Sequence, residues 1–447
     1  MRFCTVACLL AFARLGFAFI VPRENQKEKY LKVDLEKSWG ETFESSTNEG
    51  PEHAWKLAKR AENYLWVEYI NMNYFYATEL QIGTPPQKVA ALLDTGSSDL
   101  WVPGANVDCN PQKFEINCKK YGSFDKTAST SWSGNGSTFF ISYVDTAYAT
   151  GELGVDVIYL EGTRIEGMSF GVADHANKTI GILGLGMPEL ELTNFMEPSY
   201  QYDNLPSLLK RQGIIARNVY SIFNNLRTER SGTLIFGGID HKKYTGPLVT
   251  LPVLKMRNGK HIDLQTTVNG FGVSDDNDLK HTITASAFPA TLDTGTTFMG
   301  LEESVLKIFM DAVGASWRGN IGAYVGPCLD DKFVNPTIDF NFGGLMINVP
   351  YDVFVVRGVV EGECLYNIFG VGRRASLFGD IILSSLYVVF DLEEKEISIA
   401  QAAYNEEEDI EPIITSVPGA VRAPGYDQIY DYSVPVVPGG GDIYECA

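Results

Sequence analysis

The strongest constraint on this chain is a phrase that occurs twice. Residues Ala91–Pro103 read ALLDTGSSDLWVP, and Thr291–Met299 read TLDTGTTFM. In each, an apolar run of strand character ends at an acid, which is followed by Thr-Gly and two small hydroxyl residues. A carboxylate at the end of a buried strand is costly unless donors surround it. The donors are written beside it. Gly96 and Gly295 permit a tight turn of backbone against the acid, and the hydroxyls of Ser97 and Thr296 can reach its outer oxygen. Two such turns in one chain predict that Asp94 and Asp293 face each other.

Asp94-Thr95-Gly96-Ser97-Ser98, with Trp101 downstream, and Asp293-Thr294-Gly295-Thr296-Thr297 resemble the paired signature of the pepsin-like aspartic endopeptidases. The resemblance runs from about Tyr74 to about Ala400. It implies a mostly β, bilobal fold: two duplicated β-barrel-like lobes with a few short helices and a cleft between them. It also implies protein or peptide substrates, hydrolysis by a water activated between Asp94 and Asp293, and neither cofactor nor metal. Ser97 and Thr296 would hold the outer carboxyl oxygens, and Thr95 and Thr294 would tie the two turns together. In the family an apolar-glycine strand crosses behind each acid-bearing strand, where only a small residue lets backbones approach. Thr179–Gly186 and Ser376–Asp380 match it. The first of these has no phosphate-loop grammar.

The alternation from Tyr74 predicts a strand, a turn at Gly83-Thr84-Pro85-Pro86 and a second strand that delivers Asp94. Residues 138–152 read as a hairpin that resembles the family's mobile flap, with Tyr143 as the flap tyrosine and Trp101 as the indole that steadies its hydroxyl. Val144 stands where many relatives carry glycine. Asp145 has two readings, a turn-forming residue or, as in some fungal relatives, a carboxylate that receives a substrate lysine.

A formal charge of -20 over 447 residues makes nucleic acids and anionic membrane surfaces poor partners. It fits either an acidic medium, where protonation relieves self-repulsion, or a charge that only keeps the protein soluble. Arg2 and the apolar run Phe3–Ala13 read as a signal peptide cleaved after Ala18, giving a secreted protein with no stable membrane anchor and expected to be a monomer. Residues 19–60 are charged and helix-tolerant, end at the dibasic Lys59-Arg60, and resemble a propeptide cleaved at Arg60. In the family a propeptide lysine pairs with the two acids, and Lys32 and Lys37 are the candidates. With Cys4 and Cys8 removed, Cys109 pairs with Cys118 and Cys328 with Cys364, as neighbours in the chain and as in the family. Cys446 is left over.

The first lobe is placed at 61–244 and the second at 245–404. Each contains one amphipathic helix, over Asn204–Ile214 and Leu301–Gly314. Residues 405–447 are acidic and rich in Pro and Gly, with Arg422 as the only counter-charge, and read as a disordered tail without the apolar end of a lipid-anchor signal. Asn135 and Asn177 begin glycosylation sequons. Metalloprotease and serine-hydrolase readings lack H-E-x-x-H and G-x-S-x-G. The non-enzyme rival, a silent relative that binds peptides, is favoured by Val144 and opposed by the retention of both acids and both turn glycines.

Overall fold

The computed structural model describes residues 29–39, 74–109, 117–144, 146–226, 231–256, 259–329, 333–428 and 430–445. Its organising strand is Gln87–Asp94, buried at Val89 and from Ala91 onward. It pairs antiparallel with Tyr74–Ile82 and parallel with Gly181–Gly184, and that parallel register sets Asp94 opposite Gly184. Gly181–Gly184 pairs on its other side with Leu100–Cys109, the strand that leaves the first D-T-G turn. The second half repeats the arrangement. Phe288–Leu292 runs parallel to Ser376–Phe378, which is antiparallel to Met299–Leu301. A crossing strand buried on both faces must be apolar or small, which is why these segments read as continuous apolar-glycine runs.

The two halves share one sheet. At its centre Val219–Asn224 pairs with Leu386–Asp391; outside these lie Ser231–Phe236 and Glu396–Ala402, and then Leu31–Trp39 and Tyr244–Pro252. The order is symmetric about this pair for two further strands on either side, so Leu31–Trp39 takes in the first half the place that Tyr244–Pro252 takes in the second. The fold is therefore mostly β and bilobal, with duplicated halves around the two acid-bearing turns.

Three expectations are corrected. The segment read as helix-tolerant contains the strand Leu31–Trp39, in which Leu31, Val33 and Leu35 are buried in alternation with polar residues. Lys32 does not reach the acids: its Nζ pairs with Glu408 at 2.5 Å and Asp34 at 3.1 Å. The side chain of Lys37 lies outside the described residues, as do the signal peptide, Arg60 and Cys446. The acidic tail is ordered. Ile410–Pro412 pairs with Gly238–Asp240, Ala420–Arg422 runs parallel to Tyr244–Pro252, and Ile413, Ala423 and Ile443 are buried. Some of its carboxylates meet lysines distant in sequence, Glu407 with Lys242 and Glu408 with Lys32. Lys243 Nζ donates to the carbonyls of Asn405 and Glu407, and His241 pairs with Glu411.

The helices are shorter than predicted. The first spans Leu205–Arg211, capped by Asn204; the second spans Glu303–Val313 and ends at Gly314, where φ of 69° suits glycine. The second starts late because Met299–Leu301 is a strand. Both disulfides, Cys109–Cys118 and Cys328–Cys364, are formed. Ile413 is fully buried among Val219, Leu248 and Tyr387, so Ile413→Ala should lower stability by roughly 2–4 kcal/mol in urea unfolding. An unchanged midpoint would mean that the tail contributes nothing to the core.

Candidate active site

Each acid sits where its strand ends and the chain must turn. Asp94 is 5 % exposed and Asp293 is 8 % exposed, so neither carboxyl has much water to solvate a charge. The turns supply donors in matching pairs. Gly96 N donates to Asp94 Oδ1 at 2.9 Å and Ser97 Oγ to Oδ2 at 2.5 Å; Gly295 N donates to Asp293 Oδ1 at 2.9 Å and Thr296 Oγ1 to Oδ2 at 2.6 Å. Ser98 is engaged elsewhere, with Oγ donating to Met187 O.

The two turns are bonded to each other. Thr95 N donates to Thr294 Oγ1 at 3.1 Å, and Thr294 N donates to Thr95 Oγ1 at 3.0 Å. The same hydroxyls donate onward, Thr95 Oγ1 to Leu292 O at 2.6 Å and Thr294 Oγ1 to Leu93 O at 2.9 Å. Each threonine thus satisfies the backbone of the opposite half, and all four groups are buried. A β-carbon at Gly96 would come within 2.7 Å of Asp293 Oδ1, and one at Gly295 within 2.5 Å of Asp94 Oδ1. The acids therefore face each other with their Oδ1 atoms inward, and each glycine is required by the carboxyl opposite. Gly184 and Gly379 are equally tight behind the turns, at 2.5 Å from Asp99 N and 2.3 Å from Phe298 O.

Burial, and then the neighbouring charge of Asp293, push the Asp94 carboxyl from 3.8 up to about 7, against the opposing bonds from Ser97 and Gly96. Two such carboxyls titrate as a unit and retain one proton between them over a wide acidic range. A water between an ionised and a protonated carboxyl can lose a proton to one while a polarised carbonyl takes a proton from the other.

A hairpin of Ser133–Ser142 and Tyr148–Leu160 is linked to Trp101, on the strand that leaves the Asp94 turn. At its tip the Tyr143 hydroxyl accepts from Trp101 Nε1 at 2.8 Å, and Val144 is exposed. Asp145 lies outside the described residues. Asn135, on the same hairpin, is exposed, and its Nδ2 donates to the Tyr200 hydroxyl. Asn177, noted in the sequence only as a sequon, bonds to the hairpin through both ends of its amide.

Sequence reasoning missed a second buried acidic group behind the first turn. Asp99 accepts from Leu192 N and from the Tyr202 hydroxyl, and Glu191 Oε2 accepts from Tyr202 N. Burial raises both carboxyls, Glu191 to about 9. Asp99 was visible in the motif, but its partners lie about a hundred residues away and carry no local signal.

A family model described as eukaryotic aspartyl protease matches residues 75–402. Aspartic proteinase 3 of Saccharomyces cerevisiae is 34 % identical over 96 % of this chain and 88 % of its own length. Aspartic proteinase yapsin-3 of the same yeast is 35 % identical over 98 % and 85 %, respectively. Secreted aspartic protease 7 of Candida albicans is 34 % identical over 77 % of this chain and 62 % of its own. The chain belongs to the eukaryotic aspartyl protease family. It is an aspartic-type endopeptidase, a hydrolase that acts on proteins or peptides.

The raised Asp94 carboxyl has a sign for stability. The folded state holds a proton that the unfolded chain releases, so stability declines as pH climbs from 3.8 towards about 7. Asp94→Asn removes this term. Its melting temperature, relative to the native chain, should be higher at pH 7 than at pH 4, and equal offsets at both would contradict the assignment.

Proposed function

We propose that this is a secreted endopeptidase working at acidic pH, in which Asp94 and Asp293 share one proton and activate a water between them. The observation that carries the reading is the mutual burial of the two carboxyls, each with Oδ1 against the other's turn. The ionised carboxyl takes a proton from the water, which attacks the peptide carbon, while the protonated carboxyl donates to the carbonyl oxygen. No covalent enzyme intermediate forms. Proton transfer to the nitrogen then breaks the C–N bond. Ser97 and Thr296 fix the outer oxygens, while the paired threonines keep the inner ones at constant separation. Tyr143, steadied by Trp101, lies on the hairpin that would close over an extended peptide and exclude bulk water.

Acidic operation is supported by three buried carboxyls raised by burial, Asp94, Asp99 and Glu191, and by the charge of -20. Secretion is supported by the leader-like first residues, the two disulfides and relatives that are themselves named secreted. No helix among the described residues is long and apolar enough to cross a membrane. Residues 19–60 are read as a propeptide released at Arg60, Asn135 as a glycan acceptor, and the protein as a monomer.

A statine-type inhibitor should block cleavage of an unfolded protein substrate at acidic pH, and Asp94→Asn or Asp293→Asn should each abolish it. Full activity in either variant would falsify the mechanism. Asp145 keeps its two readings, a turn-forming residue or a carboxylate that receives a substrate lysine, and the second predicts a preference for lysine. Asp145→Ala should lower cleavage after Lys relative to Leu or Phe across a peptide library, whereas an unchanged ratio removes that residue from specificity.

A further inference from the structure

The hairpin tip is a closed turn suspended from a neighbouring strand end. Tyr143 N donates to Ala147 O at 2.9 Å and Thr146 N to Tyr143 O at 3.1 Å, so Tyr143 is bonded across the turn to both Thr146 and Ala147. Thr146 has φ of 68°, a left-handed conformation that a β-branched residue keeps only when its surroundings hold it there. The holding group is Asn177, which directly follows the strand Thr163–Ala176. Its backbone N donates to Tyr148 O at 3.2 Å, its Oδ1 accepts from Tyr148 N at 2.6 Å, and its Nδ2 donates to Thr146 O at 3.2 Å.

A carboxamide presents an acceptor and a donor side by side, matching an N–H and a C=O two residues apart. Aspartate would set a second acceptor against Thr146 O, and alanine would leave both backbone groups without this partner. The next residue, Lys178, places Nζ 5.8 Å from the centroid of the Tyr143 ring. The same short segment thus meets the hairpin tip at Thr146 and Tyr148 and at the Tyr143 ring. A glycan on Asn177 would take one of the two amide hydrogens beside Thr146 O.

We propose that Asn177 is a positioning residue for the substrate-covering hairpin: its amide fixes the turn that holds Tyr143 against Trp101, and this is the role of its side chain. The inference rests on the protease reading for what the hairpin does, but the attachment itself can be read without activity. Hydrogen exchange of the full chain is compared for Asn177→Ala, Asn177→Asp and Thr179→Ala. The last removes the sequon and keeps the amide.

Asn177→Ala should speed exchange in peptides covering 143–149 and leave Leu205–Arg211 unchanged. It should also raise KM for a peptide substrate roughly five- to tenfold, with kcat little changed. Asn177→Asp keeps the acceptor for Tyr148 N, so it should retain protection there while still raising KM; it carries the test if the alanine variant does not fold. Thr179→Ala should match the native chain in both measurements. Native exchange and KM in Asn177→Ala, or the same effect from Thr179→Ala, would overturn the proposal. If the native chain cleaves no peptide, the protease reading fails, and the exchange data still decide the attachment.

Discussion

The structure depends on the reciprocal bonds between Thr95 and Thr294. Two carboxyls facing each other away from water repel when both are charged, and the bonds from Ser97 and Gly96 only partly offset burial and that repulsion at Asp94. The repulsion can be relieved by separation or by retention of a proton. Separation is prevented because each threonine hydroxyl accepts from the other's backbone N–H and donates to a carbonyl of the opposite acid-bearing strand. Breaking one bond leaves buried groups on both halves unsatisfied, so the cost of opening greatly exceeds the worth of a single hydrogen bond in water. Proton retention is what remains, and it is the state an acid-base pair requires.

That arrangement needs two copies of one local structure brought into register, and the shared sheet provides the register. Val219–Asn224 and Leu386–Asp391 lie at its centre, and equivalent strands follow outward on either side. Leu31–Trp39 completes the first half of this order, although it belongs to the segment read as a propeptide. Its Lys32 is held by Glu408 of the tail rather than by the acids. Leu31–Trp39 and the acidic tail therefore meet through Lys32 and Glu408.

The site was legible because its parts are local. An acid, a glycine required by close approach and a hydroxyl within three positions are fixed by one turn, and the turn is written in consecutive letters. The hairpin and the Cys109–Cys118 disulfide were legible for the same reason, whereas Cys328–Cys364, 36 positions apart, was read as the pair left in the second half and from the family resemblance. The tail was misread because its composition reports charge and glycine content, whereas its order comes from Ile413 and Ile443 inserting into cores built by distant strands. Lys32 and Glu408 are 376 positions apart, and no local pattern links them. The alternation Leu31, Val33, Leu35 was a visible strand signal that the surrounding charge obscured. Asn177 showed only its sequon, since bracing a turn leaves no mark in the letters around it.

The central claim is that a rigid pair of turns makes two carboxyls hold a single proton. Neutron diffraction from deuterated crystals at pH 5 would locate it directly. The account predicts one deuteron distributed over the facing oxygens of Asp94 and Asp293. Two deuterons, or none, would contradict it.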